Sequence, residues 1–269
     1  MKKIKLDSGI TAILGIPFDD NSSFLKGTAG APSEIRNVLH SGVGNWFTED
    51  LMNLENHPKL EDVGDLTVTN YPEDISNGVM KLLEQDAKVL SLGGDHSITF
   101  PVIQAYSGYY QDLNILHFDA HPDLYPEFEG NPYSHACPFS RILESGLVKR
   151  VVQIGIRAVT EKQRSQAKKF GVEQIGINTR PEDMVLEFDG PVYVSLDLDG
   201  IDPAFAPGVS HPEPGGLSVR DVLNILHSIK NPIVGADIVE YNPVRDTFNL
   251  TATVAVKLLK EIAGIMVNG

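Results

Sequence analysis

Residues 113–123, LNILHFDAHPD, place a short apolar run directly before a cluster of acids and imidazoles. The run 113–118 is rich in aliphatic residues, which favours a strand that is covered on both faces. In extended chain every second side chain points the same way, so Asp119, His121 and Asp123 converge on one side. The stretch therefore predicts a buried strand that delivers polar groups from its carboxyl end.

Three other apolar runs end in the same way. AKVLSL is followed by GGDHS at 93–97, PVYVSL by DLDGID at 197–202, and PIVGADIV by EYNP at 240–243. Open parallel sheets bind their ligands in the crevice at the carboxyl ends of the strands. We therefore expect these four polar clusters to form one site at a single edge of the sheet.

Apolar runs and amphipathic segments alternate along the whole chain, and this alternation predicts an α/β fold. Parallel strands need crossover helices, which cover both faces of the sheet. We expect a single three-layer α/β/α domain over residues 1–269 with an eight-stranded, mostly parallel sheet. The predicted strands are 10–16, 62–68, 87–92, 113–118, 151–156, 172–177, 191–198 and 232–239. The predicted helices are 32–40, 74–84, 138–144, 161–170, 218–229 and 251–266.

The composition excludes several classes of protein. Apolar residues make up 42% and charged residues 22%, which is typical of a folded globular chain. The net charge of -14 would repel a phosphate backbone, so we expect no nucleic-acid partner. No stretch approaches the roughly 20 apolar residues that a membrane span needs, and Asp7 interrupts the apolar run that a secretory signal would require. The single cysteine cannot form an internal disulfide, and we expect a cytoplasmic protein.

The acids of the predicted site require compensating charge. Bringing Asp119, Asp123, Asp197 and Asp199 together would cost several kcal/mol unless cations offset their repulsion and desolvation. Two divalent ions cancel four carboxylate charges. Carboxylates with about one imidazole per ion suit Mn²⁺ better than Zn²⁺, whose sites are richer in thiolate or histidine. A pair of such ions activates water, so hydrolysis is the expected reaction class.

At this point the motifs resemble those of a known family. GGDHS, DAHPD, SLDLDGIDPAFAPGVS and IVEYNP are similar to the motifs of the ureohydrolases, the family of arginases and agmatinases. The resemblance runs from about Gly15 to the C-terminus. NSSFLKG, GNPYSHACPFSRI, SHPEPGGLS and DVLNILH resemble plant-type arginases in particular. The resemblance implies the arginase/deacetylase fold and a hydrolase that acts on linear amidine C–N bonds.

Carried over residue by residue, the resemblance implies two Mn²⁺ ions per subunit. One ion would be held by His96, Asp119, Asp123 and Asp197, and the other by Asp119, His121, Asp197 and Asp199. His135 falls where the family has a proton-carrying histidine, and Glu240 falls where a glutamate pairs with the substrate guanidinium.

The expected mechanism splits a guanidinium group with water. Glu240 would hold the planar cation by a bidentate contact, and Asp123 would steady the proton of the nucleophile. His135 would protonate the departing amine, which an imidazole can do near pH 7. Urea then leaves. Asp95 and Asp237 are expected to support the metal-ligating histidines or their loops.

The sequence leaves several alternatives for the part of the substrate that lies beyond its guanidinium group. The plant-type resemblance favours L-arginine, with products L-ornithine and urea, and agmatine, guanidinobutyrate and formiminoglutamate are the alternatives. Glu127 and Glu129 in the loop 124–134 disfavour a substrate carboxylate, whereas Asn131, Ser134 and residues 21–23 offer neutral donors. The predicted substrate-binding residues are Glu240, Asn131, Ser134 and His135.

Three further residues have ordinary explanations. We interpret His117 as a buried histidine with both nitrogens hydrogen-bonded rather than as a third imidazole ligand. His211 is interpreted as a solvated turn residue. Cys137 is interpreted as an inert thiol, because no base and orienting partner accompany it.

Two other classes of function compete with the ureohydrolase hypothesis. A deacetylase-like amide hydrolase can use the same fold, but its substrate offers no cation for Glu240 to pair with. A non-enzymatic metal-binding protein would keep costly acids without using them. The resemblance also implies a homo-oligomer, trimer or hexamer, with a small guanidino compound as the substrate.

Overall fold

The computed structural model describes residues 6–179, 184 and 186–269, and in them eight strands form one sheet. The strands are β1 (Thr11–Gly15), β2 (Leu60–Asp65), β3 (Lys88–Leu92), β4 (Asn114–Phe118), β5 (Arg150–Ile154), β6 (Glu173–Ile175), β7 (Val192–Asp197) and β8 (Ile233–Val239). Their order across the sheet is β2-β1-β3-β8-β7-β4-β5-β6, and every described pairing is parallel. The sheet is therefore parallel throughout its described part, where the sequence predicts a mostly parallel one.

Helices cover both faces of the sheet. The α-helices are α1 (Ala31–His40), α2 (Glu73–Leu83), α3 (Thr99–Ser107), α4 (Pro138–Glu144), α5 (Glu161–Phe170), α6 (Val219–Ser228) and α7 (Leu250–Asn268). One hydrophobic core joins α1, α6 and α7 to the sheet, and a second core joins α2, α3, α4 and α5 to its other face. The predicted three-layer arrangement is confirmed.

Helix α3 is the element that the sequence patterns did not predict. Its side chains are buried almost all round, from Thr99 to Tyr106, so it lacks the polar face that produces a helical period. Pro101 lies in the first turn, where a missing N–H removes no hydrogen bond of the helix. Because a helix buried on nearly all sides shows no amphipathic pattern, the sequence patterns predicted no helix at these residues.

The loop after β3 packs unusually closely against the loop after β1. A Cβ atom placed on Gly94 would lie 1.8 Å from the carbonyl oxygen of Phe18, so only glycine fits there. The N–H of Asp95 donates to that same oxygen at 2.9 Å, and the carbonyl of Gly94 accepts from the N–H of Glu240 at 2.9 Å. These contacts fix the ends of β1, β3 and β8 relative to one another.

In the described part of the chain, the helices all fall short of the length and hydropathy that crossing a bilayer requires.

Candidate metal centre and its cavity

A cavity of about 280 Å³ opens at the carboxyl ends of β4, β7 and β8. Strands β3, β8, β7 and β4 are neighbours in the middle of the sheet, so the four polar clusters meet there as predicted. The side chains that line the cavity are Ser23, His121, Asp123, Tyr125, Phe128, His135, Ala136, Ala158, Val159, Thr160, Gln163, Asp197, Asp199, His211 and Glu240.

The protonation of His96 follows from a chain of hydrogen bonds behind it. Asp237 is fully buried and accepts hydrogen bonds from Ser195, Thr99 and Tyr193 at 2.7–2.9 Å. Since the hydroxyl proton of Ser195 is used on Asp237, the Nε2 of His96, 3.0 Å from that hydroxyl, must donate to it. In a neutral His96, Nδ1 then carries no proton and has a free lone pair.

That lone pair faces three carboxylates. The Nδ1 of His96 lies 3.1–3.2 Å from one oxygen each of Asp119, Asp123 and Asp197, and it has no hydrogen-bond partner among the described residues. The histidine is fully buried. Four electron-pair donors around one point fit a metal ion, which would take the place of a proton on Nδ1.

A second group of candidate ligands lies beside the first. The Nδ1 of His121 is 3.0 Å from Asp199 Oδ2 and 3.4 Å from Asp119 Oδ1. Asp119 therefore presents one oxygen to His121 and the other to His96. A carboxylate in this position can bridge two ions, and Asp119, His121 and Asp199 together can hold one.

The electrostatics of the cluster favour bound cations. Burial, followed by the charges of neighbouring aspartates, raises the pKa of Asp197 well above its ordinary value and that of Asp199 to about 7. Burial alone would disfavour the charged form of His121, but the charges of Asp199 and Asp119 raise its pKa to about 12. The carboxylates therefore cannot all ionise cheaply unless positive charge enters the cluster.

His117 lies next to this cluster with both nitrogens in use. Its Nε2 is 2.9 Å from Asp119 Oδ2, and its Nδ1 accepts from the side-chain amide of Gln153 at 3.0 Å. Although its position close to His96 and Asp119 would allow a third metal group, these two bonds leave it no free lone pair. The interpretation of His117 as a satisfied buried histidine is confirmed.

Next to the candidate metal ligands, His135 and Glu240 form a buried pair. The Nδ1 of His135 is 2.9 Å from Oε1 of Glu240, and the same oxygen accepts the backbone N–H of His96 at 2.8 Å. Burial opposes both charges, but their mutual attraction dominates: the pKa of His135 is raised to about 9 and that of Glu240 is lowered. The other carboxylate oxygen of Glu240 receives no hydrogen bond from the described residues. A guanidinium that took both oxygens would have to displace His135.

Two predicted substrate contacts lie away from the cavity wall. Asn131 and Ser134 are not among the lining residues, because residues 128–131 form a tight turn with positive φ at Glu129 (51°) and Gly130 (79°). The turn directs the amide of Asn131 to Asn21, 3.1 Å away, and Ser134 is buried behind it. Both residues support the loop in the substrate-free protein, and their assignment as substrate contacts stays a prediction.

The same loop changes the expected charge at the rim. Glu127 and Glu129 are exposed and do not line the cavity, so the acidic loop that was expected to border the substrate tail points into solvent. The rim is formed instead by neutral groups such as Tyr125, Phe128 and Thr160. The hydroxyls of Tyr125 and Thr160 are 3.0 Å apart.

Sequence reasoning missed most of this rim. Thr160 and Gln163 form the capping box that begins α5, a pattern visible in the sequence but without functional meaning until the helix is placed. The interpretation of His211 as a solvated turn residue is wrong: it is half-buried on the cavity wall, with its ring centroid 5.2 Å from that of His135. Its pKa is lowered by burial and then by the charge of His135. For Cys137 burial raises the pKa to about 12, in keeping with an inert thiol.

Comparison with known proteins gives consistent matches over nearly the whole chain. A family model described as Arginase family matches residues 10–264. The chain is 47% identical over 273 residues to "Arginase 1, mitochondrial" of Arabidopsis thaliana, which covers 94% of this chain and 80% of that protein. It is 46% identical to "Arginase 2, chloroplastic/mitochondrial" of the same plant over 95% of this chain and 80% of the relative. The solved structure of "Arginase from Medicago truncatula" superposes with a TM-score of 0.88 at 44% identity, covering 96% of this chain and 87% of that one.

These names correct one expectation. The prediction of a cytoplasmic protein is wrong by this comparison, because both Arabidopsis relatives are named for organelles. The prediction rested on a lone free cysteine, which argues against oxidising compartments but does not distinguish one reducing compartment from another.

Proposed function

The chain belongs to the arginase family, and on that premise we propose that it hydrolyses L-arginine to L-ornithine and urea in the cavity described above. One observation carries the proposal. The Nδ1 of the buried His96 lies among three carboxylates, and two of these, Asp123 and Asp197, line the same cavity as Glu240. Metal-ligating groups beside an acid that can hold a planar cation suit the hydrolysis of a guanidino C–N bond.

We assign two Mn²⁺ ions to the cluster. The ligands would be His96, Asp119, Asp123 and Asp197 for one ion, and Asp119, His121, Asp197 and Asp199 for the other, with Asp119 and Asp197 shared. Oxygen-rich sites with one imidazole per ion favour manganese over zinc. When bound, the ions would activate a water molecule and offset the carboxylate charge.

The protein's own side chains would then bind the substrate and move protons. Glu240 would hold the guanidinium, first through the carboxylate oxygen that His135 leaves free. Asp123 lies on the same wall and would accept a hydrogen bond from the attacking water. His135, already protonated beside Glu240, would give the proton of Nδ1 to the departing amine nitrogen as the C–N bond breaks.

The neutral rim supports arginine as the substrate. An acidic rim would repel the α-carboxylate of arginine, but the acids of the 124–134 loop face solvent. Hydroxyl and amide groups of Tyr125, Thr160 and Gln163 are available to the amino-acid head at the rim. These groups hydrogen-bond a carboxylate or an ammonium without a desolvated charge of their own.

Agmatine is the second candidate, and a specific feature favours it. None of the described residues that line the cavity is a lysine or an arginine, so a substrate carboxylate would meet no positive side chain. The apolar side chains of Phe128, Ala136 and Ala158 at the same rim suit a shorter tail without a carboxylate.

The test is urea release from arginine, agmatine, guanidinobutyrate and formiminoglutamate with Mn²⁺, each beside a chelated control. We expect arginine to have the highest kcat/KM and the chelated samples to be inactive. A preference for agmatine would establish the second candidate. The absence of urea release from all four compounds would overturn the assignment of a ureohydrolase.

We also propose that the protein is a homo-oligomer, a trimer or a hexamer. The fully exposed side chain of Phe248 and the largely exposed Val244 are apolar groups that an interface would cover. Sedimentation equilibrium measures the mass directly, and a monomer at micromolar concentration would contradict this proposal.

A further inference from the structure

Ser23 makes a close contact with the nitrogen of His135 that Glu240 does not use. Its hydroxyl oxygen lies 2.8 Å from Nε2 of His135, while Nδ1 of the same ring lies 2.9 Å from Oε1 of Glu240. Ser23 lines the cavity and is partly exposed to it. The three side chains therefore form a hydrogen-bonded row, Ser23 to His135 to Glu240, along the cavity wall.

The loop that carries Ser23 is held firmly at this distance. The N–H of Asn21 donates to the buried carboxylate of Asp95 at 3.1 Å, and the N–H of His135 donates to the carbonyl of Asn21 at 3.1 Å. The same loop is also held by Asp19, whose side chain accepts a hydrogen bond from the N–H of Gly27 at 2.7 Å. One backbone hydrogen bond joins the loop to His135, and the side chains of Asp95 and Asp19 hold the loop itself, so the position of Ser23 relative to His135 is fixed.

In the hydrogen bond between Ser23 and His135, the imidazole is the donor for most of the reaction. A carboxylate only accepts, so Nδ1 of His135 carries a proton toward Glu240. Burial disfavours the imidazolium, but the charges of Glu240, Asp95 and Asp123 outweigh it and raise the pKa of His135 to about 9, with the neutral ring of His211 on its remaining side. Near neutral pH both ring nitrogens are protonated, and Nε2 donates to the hydroxyl oxygen of Ser23.

We propose that Ser23 is a positioning residue: by accepting the Nε2–H of His135 it fixes the ring and its tautomer, so that Nδ1 is the nitrogen that exchanges protons with the substrate. This inference rests on the proposed function, in which His135 protonates the departing amine. As the C–N bond breaks, the Nδ1–H bond breaks and a new N–H bond forms on the leaving nitrogen. The ring is left neutral with its proton on Nε2, still bound to Ser23, and Nδ1 regains a proton from water.

The experiment compares three substitutions of Ser23 in the manganese-loaded enzyme with arginine as the substrate. Ser23→Thr keeps the hydroxyl, Ser23→Val has the shape of threonine without it, and Ser23→Ala removes it without adding bulk. We expect kcat to fall about three- to tenfold in the alanine and valine variants, the range that corresponds to one net hydrogen bond. KM should change less than about twofold, and threonine should restore most of kcat.

A second measurement does not depend on turnover. Diethyl pyrocarbonate acylates an accessible imidazole nitrogen, and tandem mass spectrometry locates the label at His135. Labelling of His135 should be faster in Ser23→Ala and Ser23→Val than in the parent, and parent-like in Ser23→Thr. Ser22→Ala is the matched control, because it removes a hydroxyl of the same loop that bonds Asp95 instead of His135.

The outcomes separate this inference from the proposed function. Parent-like kcat and labelling in the alanine variant, or a threonine variant as impaired as valine, would overturn the role of the hydroxyl. A KM that rises together with the fall in kcat would also overturn it, since that pattern indicates a deformed binding site. If the parent itself releases no urea from arginine, the proposed function fails, and unchanged labelling of His135 would overturn the contact independently.

Discussion

At the residue scale, Asp119 and Glu240 each contact two other residues through one carboxylate group. Asp119 turns one oxygen toward His96 and the other toward His121. Glu240 uses a single oxygen for both the backbone of His96 and the ring of His135, which leaves its second oxygen for a ligand. The roles assigned to both residues are predictions that substitutions can test.

Replacing Glu240 with glutamine should weaken substrate capture without loss of metal. The amide oxygen can still accept from the N–H of His96, so the loop should keep its place, but the charge that attracts a guanidinium is gone. KM for arginine should rise about 10- to 100-fold, the usual effect of losing a hydrogen bond to a charged group.

Steady-state kinetics and metal analysis of the Glu240→Gln protein provide the measurement. Glu127→Gln is the control, since that exposed acid lies outside the cavity and should leave KM unchanged. A Glu240→Gln protein that is purified without metal would show that Glu240 has been misassigned.

The pair formed by His135 and Glu240 should make stability depend on alkaline pH. The pKa of His135 is about 9 in the folded protein and about 6.5 in the unfolded chain, so its stabilisation is complete below about pH 6.5 and is lost as the pH rises through 9. Between pH 6 and 10 the free energy of unfolding of the parent should fall by about 3 kcal/mol more than that of His135→Asn. Asparagine retains a neutral donor toward Glu240.

Chemical denaturation of both proteins across that pH range measures this difference. Burial opposes ionisation of Glu240, but the charge of His135 lowers its pKa and so moves its titration away from the range compared. Equal pH dependence in the two proteins would contradict an imidazolium at position 135.

At the scale of the secondary-structure elements, the site is made by the loops that follow four adjacent parallel strands. Two of its acids stand at left-handed backbone positions, Asp123 with φ 50° and Glu240 with φ 63°. Such positions cost of order 1 kcal/mol or more for residues other than glycine. Glu240 directly follows β8 and turns the chain out of that strand, whereas Asp123 lies further along the loop after β4, and both side chains line the cavity.

Gly94 tests how far the site depends on the packing of these loops. A methyl group there would meet the backbone of Phe18, which cannot move without separating the ends of β1 and β3. Gly94→Ala should therefore lower the free energy of unfolding by about 1–3 kcal/mol and weaken Mn²⁺ binding, because His96 follows two residues later.

Thermal unfolding and a manganese titration provide the measurements for Gly94→Ala. Gly176→Ala is the matched control, since a Cβ at Gly176 has nothing within 4 Å and its backbone is not left-handed. Parent-like stability of Gly94→Ala would mean that the two loops are not packed as described.

At the scale of the whole molecule, the protein carries a net charge of -14 and concentrates several of its acids at the centre of the sheet. The aspartates of the cluster are almost fully buried, with Asp119 at 0% and Asp197 at 2% exposure. Metal ions that bind only the folded protein stabilise it in proportion to the logarithm of their concentration.

Removal of metal should therefore destabilise the entire fold. At a free Mn²⁺ concentration about 100 times the Kd, the linkage amounts to about 2.7 kcal/mol, which corresponds to roughly 5–10 °C in Tm for a chain of this size. Calorimetry of the chelated and the reloaded protein measures the change. A Tm that does not respond to manganese would contradict the metal centre.

The sequence by itself determined the class of fold and the kinds of side chain in the candidate metal centre. Each strand needs only a short apolar run, and the spacing of Asp119, His121 and Asp123 follows from the two-residue repeat of extended chain. Carboxyl ends of parallel strands meet at one edge, so the clusters at 93–97, 119–123, 197–202 and 240–243 could be placed together without coordinates.

Only the tertiary structure decided which neutral residues form the cavity wall. Ser23, Thr160 and His211 come from three loops that are distant in sequence, and no local pattern states which way a loop side chain turns. The turn at Glu129 and Gly130 directs Asn131 away from the cavity, while the packing at Gly94 sets the distance between the loops. Periodicity determines the faces of strands and helices, whereas loop side chains take their direction from long-range packing, which the sequence does not display.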